Sequence, residues 1–335
     1  MTLTFVGDMS QQFQSLRQTS SIKARLNTLT EELSSGQVSD ISAHLRGDTG
    51  QLALIDRELE LITNFETTAA QLSGVLQQKQ LVLSSLDSQA TRLAAQLIGI
   101  GQSSSPLEIG AAESAGRATF NGIVDALNTR VGDKSLFSGA TTDRTPLAGG
   151  EAMLADIVAS IGGAIDNSTI AAAIDTWFDD PAGGFATMGY AGDTGSVVMQ
   201  RIGQQESMSM DGRADDAGLR KMLKSAAFAA VSDVMSESLV QSVRVALVSQ
   251  GGEAMFSAGD QVRQISARIG ENEARIEELS TMRAAQKTTF SMARNALVNA
   301  DSFETATYLQ SVQQQLELHF TATARMSRLS LVNFL

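Results

Sequence analysis

The placement of proline constrains the fold of this 335-residue chain more than any other feature. The chain has only three prolines, which are Pro106, Pro146 and Pro181. Residues 1–105 and 182–335 therefore contain none, and the last glycine is Gly270. Because proline breaks helices and glycine weakens them, both flanks can form long helices. At 1.5 Å per residue, the segment after Gly270 can extend on the order of 100 Å as helix.

Apolar residues recur in both flanks at alternating steps of three and four, which is the spacing of a coiled-coil seam. The first seam consists of Ile62, Phe65, Ala69, Leu72, Leu76, Lys79, Leu83, Leu86, Ala90, Leu93, Leu97 and Ile100. The second consists of Ala258, Val262, Ile265, Ile269, Asn272, Ile276, Leu279, Arg283, Gln286, Phe290, Ala293, Leu297 and Ala300. Two long helices that are distant in sequence can bury these seams against each other.

Polar residues interrupt both seams. We expect Lys79 to pack its aliphatic stem and keep its ammonium group in water. Two interpretations apply to Asn272, Arg283 and Gln286. These residues either set the register of the two helices or lie where the seam is exposed to solvent.

Shorter seams lie near both ends of the chain and predict a second, terminal coiled coil. They consist of Ile22, Leu26, Leu29 and Leu33, followed by Leu309, Val312, Leu316 and Phe320. The closing stretch ARMSRLSLVNFL adds Leu329, Leu331 and Phe334, although free termini normally fray into water. Since exposed apolar clusters mark contacts, we predict that these residues form an assembly interface. We also expect roughly the first and last 40 residues to fluctuate in a monomer and to order on assembly.

The middle of the chain differs from the two flanks in composition. Residues 130–150 are rich in glycine, threonine and aspartate, which is typical of turns and a hairpin. Helical and strand-like segments then alternate, with Trp177 and Phe178 expected to anchor a small core. Helix resumes near Asp215 and its periodicity continues through the sequence VRVAL.

These patterns predict a mainly α protein. The N- and C-terminal flanks form a long antiparallel helical rod or coiled coil, and a small mixed α/β insert lies at the rod tip. The predicted domains are a terminal coiled coil (1–45 with 295–335), a helical rod with a β-hairpin (46–140 with 205–294) and the insert (141–204).

Composition argues against several classes of function. The net charge of −12 disfavours nucleic acid as a partner, and the absence of cysteine excludes disulfides and thiolate chemistry. The two histidines, His44 and His319, are too few for a histidine metal cluster. We expect no enzyme activity, no cofactor, no membrane insertion and no cleaved signal peptide. Asp179 and Asp180 are more typical of a solvated turn, while a cation site in the insert remains the alternative.

Three separated stretches carry a family resemblance. LNTLTEELSSGQ (26–37), LFSGATTDRTPLA (136–148) and TATARMSRLSLVNFL (321–335) resemble the bacterial flagellin superfamily. Within it, the hairpin and the closing stretch are most similar to the family of hook-associated protein 3, which joins the flagellar hook to the filament.

The resemblance implies an extracellular structural subunit, exported unfolded through the flagellar type III apparatus without cleavage. It implies a ring of identical copies above the larger hook-associated junction protein and below the flagellin filament. The terminal helices would form the axial layer, the insert would face outward, and an export chaperone would bind the C-terminal helix. The alternatives are a flagellin-type filament subunit and, from another class, a cytoplasmic coiled-coil adaptor.

Overall fold

The computed structural model describes residues 4–195, 198–210 and 212–332, with side chains described for residues 9–10 and 12–326 within these ranges. The described α-helices are α1 (Thr4–Ser35), α2 (Ile41–His44), α3 (Gly50–Ile98), α4 (Pro106–Leu127), α5 (Gly150–Ile161), α6 (Asn167–Asp179), α7 (Ala217–Val234), α8 (Gln241–Val298) and α9 (Ser302–Val332), and a short π-helix spans Phe185–Gly189. Two short antiparallel pairs accompany them: β1 (Arg130–Val131) with β2 (Lys134–Ser135), and β3 (Met199–Arg201) with β4 (Ser207–Ser209). The mainly α fold is confirmed.

The chain forms two compact units. Unit 1 consists of residues 1–63 and 283–335, and unit 2 consists of residues 64–282. The finer division into three domains remains a prediction.

In unit 1, α1 and α9 run antiparallel, because Ser15 lies beside Thr323 and Thr19 lies beside His319. The first turns of α3 and the last turns of α8 also pair, and Arg294 donates to Asp56 at 2.8 Å.

Unit 2 is built on α3, α4, α7 and α8. The predicted seams are buried here: from Ala69 to Leu97 on α3 and from Ala258 to Leu279 on α8, every seam residue except the half-buried Asn272 is buried. Gln80 Nε2 donates to the carbonyl of Ser266 at 2.7 Å across the two helices. The paired heptad seams are therefore confirmed as the core of this unit.

Two reversals of the chain create the four-helix arrangement. Gly99 and Gly101 precede Ser105, which caps α4 in a capping box with Glu108, and Pro106 occupies the first helical turn. The second reversal, at residues 235–240, interrupts the continuous helix that the periodicity predicts after Asp215. It contains neither proline nor glycine, but Ser236 and Ser238 belong to a residue type that favours turns over helix interiors.

The predicted position of the insert at the rod tip is wrong. Because α4 folds back along α3, the insert leaves the helices far from the two reversals. Its strands contact the middle of the long helices: Asn272 on α8 donates to the carbonyl of Ser209 at 3.1 Å, and Arg275 pairs with Glu206 at 2.9 Å.

The expectation for Lys79 is also wrong. The residue is only 3% exposed, and its Nζ donates to the carbonyl of Gly212 at 3.0 Å. The ammonium group also lies 5.6 Å from the centre of the Phe137 ring, where the negative face of the ring attracts it. The lysine therefore joins α3 to the segment that follows β4. On the second seam, Arg283 is buried and Gln286 is exposed.

The aromatic residues of the insert join the buried core of unit 2. Trp177 and Phe178 are buried as predicted, and Phe185 packs against both. The indole nitrogen of Trp177 donates to Asp156 at 2.7 Å, which satisfies its one polar group. Of the two acidic residues considered for a cation, Asp179 instead pairs with Lys224 on α7 at 2.6 Å.

Small residues allow α4 and α7 to pack closely, and this packing can be tested. A Cβ atom at Gly116 would overlap the side chain of Ala229, whereas a Cβ at Gly110 on the same helix would meet nothing within 4 Å. Gly116→Ala should therefore lower the free energy of unfolding by about 1–3 kcal/mol through overpacking. Gly110→Ala should raise it by about 0.5–1 kcal/mol through helix propensity. Urea denaturation measures both, and shifts of equal sign in the two variants would contradict the packing argument.

Candidate assembly interface on the terminal helices

The contact between α1 and α9 contains most of the predicted seam residues. Ile22 and Val312 are buried, and Leu26, Leu29, Leu309 and Leu316 are half-buried. Leu33 and Phe320, at the margins of the contact, are exposed. The side chains of Leu329 and Leu331, and the whole of Phe334, lie outside the described residues, so their part in the interface remains a prediction.

Polar contacts continue the seam toward the N-terminus of α1. The hydroxyl oxygens of Ser15 and Thr323 lie 3.4 Å apart, and the hydroxyl of Thr19 lies 3.4 Å from Nδ1 of His319. His319 therefore faces a helix neighbour, in agreement with a packing role. The small hydroxyl side chains replace leucine here, so this part of the pair buries little apolar surface.

α1 also carries a second apolar row, which α9 leaves uncovered. It consists of Met9, Phe13 and Leu16, which we call the outer row, and all three are exposed. Phe13 is 64% exposed and precedes the buried Ile22 by roughly two and a half turns at 3.6 residues per turn. It therefore projects from the opposite side of the helix. This row is absent from the residues predicted from the sequence, although its spacing of four and three residues is the signal that marks a helical stripe.

The outer surface of α9 also carries little charge. Glu317 is the only acidic or basic side chain between residues 305 and 324, apart from His319. Leu318 on α9 is exposed as well. Helices that face water normally cover their outer face with charged side chains. A nearly neutral surface with exposed leucine and phenylalanine is instead typical of a contact surface.

Two backbone hydrogen bonds join the segment after α1 to the segment before α9. The amide of Val38 donates to the carbonyl of Val298 at 2.9 Å, and the amide of Ala300 donates to the carbonyl of Gly36 at 3.0 Å. Gly36 has a φ of 68°, a left-handed conformation that favours glycine at a helix end. The two segments that connect to α1 and α9 are thus tied together.

The described residues were compared with the requirements of a metal site and of a membrane span. No group of three or more His, Cys, Asp or Glu residues in it is arranged to hold a metal ion. Within the same residues, no helix has both the length and the hydropathy needed to cross a membrane.

Similarity to other proteins is visible in structure rather than in sequence. No family model matches the chain, and no curated protein sequence matches it either. The chain is similar to a solved structure described as a flagellar hook-associated protein from Vibrio parahaemolyticus, with 14% identity and a TM-score of 0.54. The match covers 73% of this chain and 95% of the other. FlgL from Bacillus cereus aligns with 13% identity and a TM-score of 0.42, over 74% of this chain and 99% of that one. The chain therefore has the fold of the Vibrio hook-associated protein.

Proposed function

We propose that the chain is a non-enzymatic structural subunit of the bacterial flagellum. The observation that carries the proposal is the two-sided apolar character of α1, which buries one stripe against α9 and leaves the outer row exposed. A helix of this kind is half of an interface whose other half belongs to another molecule. The fold similarity to a flagellar hook-associated protein supports the same conclusion.

The more specific role is that of an adaptor at the junction of hook and filament. It rests on the resemblance of LFSGATTDRTPLA and of the closing stretch to the junction family. On this proposal, identical copies form a ring that contacts the larger hook-associated protein on one side and flagellin on the other. An export chaperone holds the C-terminal helix before secretion, and the protein leaves the cell without cleavage.

The mechanism is mechanical. Terminal helices form an axial coiled-coil layer, the long helices form the next layer, and the insert faces outward. Identical subunits in heterologous contact generate rings or helices rather than closed dimers. Each apolar contact is modest, but many copies share the load, so torque passes from hook to filament without any single strong bond.

Deletion of the gene in its own bacterium tests the proposal. Loss of a junction subunit should leave hooks without filaments and release flagellin into the medium. Expression of the wild-type chain from a plasmid should restore filaments. Intact filaments in the deletion strain would contradict the junction role.

Two alternatives predict different results. A filament subunit should be recovered in many copies along sheared filaments, instead of in one layer beside the hook. A cytoplasmic coiled-coil adaptor should be missing from sheared flagella altogether, which mass spectrometry of the sheared fraction would reveal.

A further inference from the structure

Unit 2 contains a pocket that the terminal interface does not use. It has a volume of about 490 Å³ and opens between α3, the β1–β2 hairpin and the β3–β4 pair. Leu72 and Val75 form the helical wall, and Leu136, directly after β2, and Met210, directly after β4, form the opposite side. The pocket is therefore a surface depression with mainly apolar walls, large enough for one or two aliphatic side chains.

The charged side chains that line this pocket are basic, although the chain as a whole has a net charge of −12. Lys79 and Lys134 are the charged residues among the described lining. Lys79 is buried and bonded to Gly212, so it contributes a fixed positive field. Lys134 is exposed, and no ion pair involves it within the described residues. An apolar group with a carboxylate beside it would suit this site in shape and in charge.

The tip of the same unit, formed by its two chain reversals, has the complementary character. Leu107 is 83% exposed, and Val240 on the neighbouring reversal is also exposed. Gln241 Nε2 donates to the carbonyl of Ser104 at 3.1 Å and joins the two reversals into one surface. The charged residues here are Glu108 and Glu237, and residues 98–108 and 235–241 contain no lysine or arginine. The tip therefore presents apolar side chains next to carboxylates.

We propose that the tip of one copy of this chain docks into the pocket of a second copy, with Leu107 in the pocket and a tip carboxylate facing Lys134. A chain cannot fill its own pocket, because Val75 and Ile98 are roughly 35 Å apart along α3 at 1.5 Å per residue. The contact joins two different surfaces, so it is heterologous and propagates copies in a row. The inference rests on the proposed function of the chain as an assembling subunit, and it adds a contact in unit 2 to the one made by the terminal helices.

Photocrosslinking of the full chain tests the contact. The chain has no cysteine, so Leu107→Cys provides one site for a benzophenone maleimide, at a position too exposed to affect folding. Mixing labelled chains with ¹⁵N-enriched wild-type chains distinguishes crosslinks between copies. We expect crosslinks to residues 68–79 of α3 or 131–142 of the hairpin. Crosslinks that map only to other surfaces would overturn the inference.

A complementation experiment gives a second, independent measurement. Leu107→Asp removes the apolar tip, and Lys134→Glu reverses the charge at the pocket. Sedimentation should show that each variant alone self-associates about tenfold more weakly than the wild type. A mixture should form a one-to-one complex, because each partner keeps one intact half of the contact. Leu81→Asp, at an exposed position outside both surfaces, is the control and should behave as the wild type.

The outcomes separate the two proposals. If Leu107→Asp and Lys134→Glu associate like the wild type, the tip-to-pocket contact is overturned, while assembly through the terminal helices still stands. If soluble copies crosslink at the pocket but the deletion strain keeps its filaments, the contact stands and the junction role is overturned.

Discussion

Replacing Phe13 with aspartate is expected to abolish assembly of the full chain while leaving the folding of the monomer unchanged. Phe13 is 64% exposed and lies on the face of α1 opposite α9, so the monomer loses almost no buried contact. In an assembly that buries the outer row, the variant loses a phenylalanine contact and must also bury a carboxylate. Removal of a buried phenylalanine alone costs about 3–5 kcal/mol. The critical concentration should therefore rise by at least about a hundredfold.

Light scattering and electron microscopy measure the assembly, and circular dichroism during thermal unfolding measures the folding. Gln14→Asp is the matched control, because it adds the same charge at the next, exposed position and spares the outer row. It should assemble nearly as well as the wild type. Normal assembly of Phe13→Asp would show that the outer row is not part of the interface, and a lowered melting temperature would show that Phe13 serves the monomer.

The helical core could be predicted because its signal is long and local. Leu76, Leu83 and Leu86 fall on one stripe of α3, and a stripe of this length has few other ways to be buried. The buried Lys79 could not be predicted in the same way. Its environment comes from the Phe137 ring and the carbonyl of Gly212, which are distant in sequence and are brought to α3 only by the tertiary fold.

The reversal at residues 235–240 shows a second limit of the sequence. Without proline or glycine, its serines compete only weakly with helix formation. What decides the reversal is the packing of Gly116 against Ala229, together with the buried contacts that attach α7 and α8 to α4. Such contacts have no local signature. Because the sequence pattern does not predict this reversal, it indicates an uninterrupted helix. An uninterrupted helix would place the insert at the end of the rod, which is the wrong position.

For the candidate interface, the sequence identified one face of α1 and missed the other. The heptad pattern through Ile22 and Leu26 is regular, because it packs against a helix of the same chain. The outer row has only three members, and polar residues at positions 10–12, 14 and 15 separate them, so a search for long seams passes over it. The outer row can be recognised as a candidate interface only when it is known which face of α1 packs against α9.

The largest effect on stability is expected from Glu113, which lies inside unit 2 where α4, α7 and α8 meet. Its carboxylate is 1% exposed, accepts a hydrogen bond from Ser232 at 2.5 Å and forms a bidentate ion pair with Arg244. The hydrogen bonds from Arg244 to Glu113 raise the pKa of that arginine, so its guanidinium stays charged at any physiological pH. Glu113→Ala therefore leaves a largely buried cation without its partner, which typically costs about 3–5 kcal/mol.

Urea denaturation should show this loss of stability in Glu113→Ala. Asp260→Ala, which breaks only an exposed pair with Arg263, is the control and should change the free energy of unfolding by less than about 1 kcal/mol.

The double variant Glu113→Leu with Arg244→Met discriminates between two roles of the ion pair. If the pair mainly avoids an unpaired charge, the apolar double variant should recover most of the stability, because it buries no ion. If the double variant is as unstable as Glu113→Ala, the hydrogen bonds themselves hold the reversal at residues 235–240. In that case the tip carrying Val240 should also lose its order, and hydrogen exchange at residues 235–241 would rise in both variants.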